Sequence, residues 1–252
     1  MISKTVAESY CTSMQRYFGE IVSGRAILSE GDVFHLTKVM RCQVGTEIQV
    51  VSDYRAFLAK VCSVKPLIIK VGKALIESRE LKSDVILAIA TLKGEKLDFV
   101  LQKATELGVH EIVLLDTSRT VAKFKARDIE NKLTRYRRIL KEASEQSMRT
   151  RIPLISGALD FKDIGTIRAH HKLIAYEELS GATASFNRAM QKIEDGQRVA
   201  VIIGPEGGFT PEEIDIAKAG GFKCVSLGRR ILRAETAAIY ALSVIANHLE
   251  IK

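Results

Sequence analysis

Between Val199 and Tyr240 two short apolar runs each break into a glycine-containing loop and then a helix-forming stretch: VAVII runs into GPEGGFTPEEI, and CVSL runs into GRRILRAETAAIY. VAVII is β-branched, has no polar interruption and stops at a glycine, the pattern of a parallel strand buried on both faces. In open parallel sheets the loop after such a strand borders the ligand crevice.

The first loop has the glycines of a phosphate cradle but not its chemistry. Thr210 suits an N-cap, Pro211 the first helical position, and Glu213 completes a capping box. The free N–H groups of that helix start are therefore already engaged, and Glu206, Glu212 and Glu213 would repel an anion. No GK[ST] follows. A neutral or cationic ligand fits better, approached closely by backbone at Gly204, Gly207 and Gly208. Taken alone, PEGG reads rather as a tight glycine turn joining strand to helix.

The second loop repeats the arrangement about twenty residues later, with Gly228, then Arg229, Arg230 and Arg233, then an alanine-rich helix. IGPEGGFTPEEI together with VSLGRRILRAETAAIYAL resembles the RsmE family of SPOUT methyltransferases, which methylate N3 of a uridine in small-subunit (16S) ribosomal RNA with S-adenosylmethionine. The resemblance continues in LDFVLQKATELGV (Leu97 to Val109), SRTV (Ser118 to Val121) and EASEQSMRTRIP (Glu142 to Pro153), and more loosely in HLTKVMR (His35 to Arg41). It implies an α/β fold, a SPOUT-type parallel sheet with a C-terminal trefoil knot, preceded by a small PUA-like RNA-binding β-barrel. The ordinary rule that chains do not knot would have stopped at a doubly wound sheet. The family also implies a homodimer with its sites near the subunit interface.

The chain has 252 residues, enough for one large or two modest domains, and 46% of them are hydrophobic. No apolar stretch approaches the roughly 18 to 20 residues that span a bilayer, and the polar start lacks a signal peptide's apolar centre, so a cytoplasmic location is expected. Cys11, Cys42, Cys62 and Cys224 are scattered without CxxC spacing, and no metal is expected. The adjacent His170 and His171 read as a surface turn. A net charge of +8 and a pI near 9.3 suggest an acidic partner. Most of the surplus is local, since Arg119 to Arg151 holds eleven Lys and Arg against four Asp and Glu.

Residues 1–77 read as an N-terminal extension followed by the barrel. Its short β-rich runs, QRYFGEIV, TEIQVVS, FLAKVCSV and LIIKVGKALI, are separated by turn signals. The first thirteen residues carry no readable signal. Composition shifts through ESRELKS, and residues 78–252 alternate strand and helix as an α/β domain. Within it, Leu97, Leu101, Ala104 and Leu107 share one helix face, with Gly108 as the stop. A longer helix from Asp128 to about Met148 buries Ile129, Leu133, Tyr136, Leu140 and Ala143. Its basic residues, Arg135, Arg137, Arg138 and Lys141, fit either a solvated face or an RNA surface.

The resemblance implies RNA contacts at Arg16, Lys38, Arg41, Arg119, Gln146 and Arg149. It places the methyl donor against Ile203, Gly204, Gly208, Leu227, Gly228, Ile231 and Leu232. Methyl transfer to nitrogen needs positioning and electrostatics rather than a nucleophile. Uridine N3 must lose a proton, so Arg233 is expected to stabilise the developing anion and Glu206 to accept the proton. Glu235 is a second candidate base, for which a structural role is favoured. The expected partner is 16S ribosomal RNA, on the assembled small subunit. Competing readings are a SPOUT enzyme acting on a ribose 2′-hydroxyl or another base, a non-catalytic RNA-binding assembly factor, and a nucleotide-phosphate binder.

Overall fold

The structure, a computed structural model, describes residues 14–76, 78–120, 129–176 and 185–251. The first thirteen residues, Glu77 at the expected domain boundary and the basic stretch 121–128 lie outside them. By their contacts, the described residues up to Arg79 group with Ser144–Arg151, and the remainder form a second unit.

In the first unit five strands close into a barrel in the order β1-β2-β5-β4-β3: β1 (Arg16–Val22), β2 (Arg25–Leu28), β3 (Glu47–Ser52), β4 (Arg55–Val64) and β5 (Leu67–Ala74). Parallel pairing of β1 with β3 closes the ring and leaves no open sheet edge. Tyr17, Ile48, Val50, Val61 and Ile69 fill its interior. A short helix α1 (Glu30–Phe34), capped by Ser29, runs into a π-helical turn (His35–Val39) that turns Leu36 into the same core.

The second unit is a six-stranded parallel sheet in the order β11-β9-β10-β6-β7-β8: β6 (Val85–Ala90), β7 (Glu111–Asp116), β8 (Leu154–Asp160), β9 (His171–Ala175), β10 (Val199–Ile203) and β11 (Lys223–Val225). It is covered by α2 (Glu95–Glu106), α3 (Ile129–Gln146), α4 (Phe186–Met190), α5 (Pro211–Ala219) and α6 (Ala234–Glu250). Every residue of β6 and β10 is buried. Alternate side chains explain why: Val199, Val201 and Ile203 join a core with α2 and α6, whereas Ala200 and Ile202 join a second core with α5, Phe209 and Phe161.

The helix ends follow local sequence. Gly108 stops α2 at φ +84, with its N–H on the Thr105 carbonyl at 3.1 Å and the Val109 N–H on the Ala104 carbonyl at 3.0 Å, a Schellman closure. Thr210 and Glu213 form the reciprocal capping box at the start of α5, with Pro211 in its first turn. Glu213, only 4% exposed, also accepts the Ser118 N–H at 2.7 Å. One carboxylate thus closes the helix start and ties the loop after β7 to it. The phosphate-cradle alternative fails here because these donors are already taken.

Replacing Glu213 by Ala removes both bonds and leaves the Ser118 and Thr210 N–H groups without their acceptor. The unfolding free energy from urea titration should fall by about 2 to 3 kcal/mol. A fall below roughly 0.5 kcal/mol would show that the carboxylate does not hold the loop.

Candidate active site

The carboxyl ends of β9, β10 and β11 lie side by side, and the segments leaving them enclose a cavity of about 290 Å³. Its position follows from strand order, since adjacent parallel strands whose chains leave in different directions open a crevice at their carboxyl ends. All seven residues expected to hold the donor line it: Ile203, Gly204 and Gly208 from the first loop, and Leu227, Gly228, Ile231 and Leu232 from the second. Arg233 and Glu206 line it as well. Sequence reasoning missed Ala175 and Tyr176 at the end of β9, and Ser226 after β11. The sequence marks KLIAY as a strand, but only the pairing of β9 with β10 brings its end to the cavity.

The glycines serve neighbours inside the protein more than close approach by a ligand. A Cβ at Gly204 would stand 2.9 Å from the Phe209 ring, and one at Gly207 would stand 3.3 Å from the Arg119 side chain. Gly228 has open space around it, but its φ of +133 is a conformation that L residues rarely adopt. Ser226 fixes that turn, its Oγ accepting the Gly228 N–H at 3.3 Å and donating to the Gly228 carbonyl at 3.1 Å. Ile203, Leu227, Leu232 and Ala237 give the walls their apolar part, beside the charged Glu206, Arg229, Arg230 and Arg233. Ile231 projects from the second loop 83% exposed at the cavity edge, an unusual position for a bulky aliphatic side chain.

Charge alternates around the rim. Lys96, in the first turn of α2, pairs with Glu206 at 2.8 Å. That hydrogen bond holds the Glu206 carboxyl below its ordinary range and raises the Lys96 ammonium. Arg233 and Glu235 are near enough to act on the same ammonium in opposite directions. A carboxylate with a lowered pKa keeps the pair intact at neutral pH; the pair opens only as pH falls through the Glu206 value. Glu235 differs from expectation. Its Oε2 is buried with no hydrogen-bond partner among the described residues, so this oxygen does not hold the loop. Unlike α5, helix α6 starts without a side-chain cap. Its first N–H groups lie at the cavity, next to Arg233 and Ala234.

The six expected RNA contacts separate into two groups. Lys38, Arg41 and Gln146 are exposed. Arg119 is exposed too, but its Nη1 donates to the Gly207 carbonyl at 2.7 Å, which places it on the donor loop. Arg16 and Arg149 require correction, being 4% and 3% exposed. Helix α3 ends in a Schellman closure at Met148, φ +61, with the Arg149 N–H on the Ser144 carbonyl at 2.9 Å. Arg16 reaches this end from the barrel: Nη1 donates to the carbonyls of Met148 and of Arg149, the latter at 3.1 Å, and Nε donates to Gln49 Oε1 at 3.0 Å. The end of α3, expected to contact RNA through Arg149, is a buried cap held by a cation at the negative end of the helix. The basic face of α3 is also largely paired: Arg135 with Asp98, Arg137 with Glu130 at 2.7 Å and Arg138 with Glu142 at 3.6 Å. No group of three or more metal-binding side chains occurs among the described residues, nor does any helix long and apolar enough to cross a membrane.

The cavity lies at the carboxyl ends of a parallel sheet between two glycine loops, with Arg229, Arg230 and Arg233 of the second loop among its walls. Residues 79–246 match the RNA methyltransferase domain family. A Bacillus subtilis ribosomal RNA small subunit methyltransferase E is 33% identical over 94% of this chain and 98% of its own length. A Legionella pneumophila protein solved with bound cofactor SAM superposes with a TM-score of 0.82 at 33% identity, covering 93% of this chain and 97% of that one. The Neisseria gonorrhoeae ribosomal RNA small subunit methyltransferase E bound to S-adenosyl methionine gives a TM-score of 0.81 at 25% identity, covering 93% and 97%. The chain belongs to the ribosomal RNA small subunit methyltransferase E family, SPOUT-type enzymes of the RNA methyltransferase class.

The rim pair has a pH signature. Lys96→Met should move the Glu206 carboxyl titration, followed by carbon-detected NMR, upward toward the ordinary glutamate range. An unmoved titration would mean that Lys96 does not set it. Arg16→Met should lower the unfolding free energy by about 3 kcal/mol, the cost of breaking a buried charged network. A variant with wild-type stability would restore Arg16 to the list of candidate RNA contacts.

Proposed function

We propose that this enzyme transfers a methyl group from S-adenosylmethionine to N3 of one uridine in 16S ribosomal RNA, acting as a homodimer on the assembled small subunit. The observation that carries the proposal is that a single cavity gathers both glycine loops and the Arg233 and Glu206 side chains. The cavity suits the donor. Ile203, Leu227, Ile231 and Leu232 offer apolar cover, Ser226 fixes the second loop's turn, and the orphaned Glu235 oxygen beside the cavity welcomes a cationic or hydrogen-bonding partner. When bound, S-adenosylmethionine supplies an electrophilic methyl on a sulfonium.

The protein's own contribution is positional and electrostatic. Removal of the N3 proton spreads negative charge over N3 and its neighbouring carbonyl oxygens. Arg233, at the N-cap of α6, offers donors to that charge, and the uncapped first turn behind it adds the positive end of a 17-residue helix. Glu206, ionised at neutral pH through Lys96, takes the proton directly or through water. Its lowered basicity makes the arginine side of this division the larger contribution. Exposed Lys38, Arg41 and Gln146 contact RNA backbone and set position rather than base identity. The target uridine is reached unpaired or flipped, because N3 lies on the Watson–Crick edge.

Nucleoside mass spectrometry tests the reaction on small subunits lacking the modification, incubated with the enzyme and labelled donor. N3-methyluridine is the expected product; label in another base or in a ribose moves the enzyme to a different SPOUT activity. In the same assay Arg233→Ala should cost about 10² to 10³ in rate while calorimetric donor affinity is retained. Undiminished methylation would remove Arg233 from its role.

A further inference from the structure

A second groove, of about 190 Å³, lies in the α/β unit where β9, α4 and β11 meet. Its ionisable lining is almost wholly basic: His170, His171, Lys172, Arg188, Lys192 and Lys223, with no Asp or Glu in the wall. Lys172 is committed to the fold. Its Nζ donates to the Gly220 carbonyl at 3.1 Å and the Gly165 carbonyl at 3.3 Å, and it lies 5.4 Å from the centre of the Phe222 ring. The two imidazoles are also occupied, His170 Nδ1 accepting the Arg198 N–H at 2.9 Å and His171 Nε2 bonding Gln197 Oε1 at 2.6 Å. Arg188, Lys192 and Lys223 are different. They are exposed, and none has a carboxylate within ion-pair distance among the described residues. Among the described residues these three cations, on α4, in the turn that follows it and on β11, have no partner within the fold.

We infer that this groove binds the ribose-phosphate backbone of the substrate RNA next to the target nucleotide, through Arg188, Lys192 and Lys223. The inference rests on the proposed RNA methylation and adds to it a contact surface on the catalytic unit. Continuity with the donor cavity supports it. Strand β9 gives His171 to Leu173 to the groove and Ala175 to the cavity, and β11 gives Lys223 to Val225 to the groove while Ser226 and Leu227 enter the cavity. At about 3.3 Å per residue the nearest lining residues of the two sites, one step apart on β11 and two on β9, are separated by roughly 3 to 7 Å along these strands. A nucleotide presented at the cavity therefore leaves its neighbours' phosphates over the groove. The three cations come from α4, the turn after it and β11, so a chain of phosphates can meet more than one of them.

Arg188→Ala, Lys192→Ala and Lys223→Ala, singly and combined, test the inference on the full enzyme. Filter binding to a 16S ribosomal RNA transcript and to unmodified small subunits would be measured across a salt series. Each neutralised phosphate of a single strand contributes about 0.7 to the log–log salt slope, so the triple variant should bind with a slope shallower by about 2 and each single variant by about 0.7. Affinity of the triple variant should fall at least tenfold at moderate salt, with calorimetric affinity for S-adenosylmethionine unchanged. Unchanged RNA affinity and slope in the single variants would overturn the inference, even if the triple variant proved unstable. If the wild type binds RNA with the expected slope but forms no N3-methyluridine, the proposed reaction fails while the groove assignment stands.

Discussion

Burial of β10 on both faces is the constraint on which the α/β unit depends. Five consecutive residues, Val199 to Ile203, are at most 2% exposed, and their side chains alternate between two hydrophobic cores. A strand so buried cannot sit at an edge, so it lies between β9 and β6 with helices on both faces. Its backbone pairs on both sides, with Val199 opposite both Val85 and His171. The chain must then leave the layer at Gly204, where a side chain would strike Phe209. The donor cavity is what remains where this exit and those of β9 and β11 diverge.

The two loops that border the cavity resemble each other in glycine content and differ in how the following helix begins. Helix α5 is sealed by Thr210, Pro211 and Glu213, and Glu213 is further engaged by Ser118. Helix α6 begins at Arg233 without a side-chain cap and with one Glu235 oxygen unpartnered nearby. The first arrangement spends its polar groups on rigidity; the second leaves the helix start without a side-chain cap. The Lys96–Glu206 pair, with side chains 40% and 38% exposed, adds little stability through solvent screening. Its importance lies in fixing where the rim carboxylate stands and keeping it charged.

Basic residues in this chain do two kinds of work that composition does not distinguish. Arg16 caps a helix end whose Met148 adopts φ +61, a conformation costing of order 1 kcal/mol without glycine. Its carbonyl bonds help offset that strain and leave none of the guanidinium for RNA. Arg119 braces the Gly207 carbonyl. Surface cations such as Lys38, Arg41 and Lys223 have no comparable fixed duty and remain exposed.

Much of the fold was legible because it rests on local rules: β-branched continuity marked β10, the TPEE run set the start of α5, and Gly108 ended α2. The loop residues that line the cavity could be read as well, since the glycines of both loops and the arginines of the second stand in contiguous motifs. Three things were decided only in three dimensions. Tyr176 reaches the cavity because β9 pairs with β10, an adjacency across more than twenty residues that no periodicity encodes. Arg16 and Arg149 are buried because a barrel strand meets a helix end over 130 residues away, so the Arg16 charge, which reads as surface, is spent on backbone carbonyls. The basic groove draws on three elements, each carrying a few cations that look ordinary along the chain. Sequence determined which segments would be strand, helix or glycine loop, because those choices depend on neighbours a few residues away. Tertiary structure decided which charges are compensated, because that depends on which distant groups the sheet brings within reach.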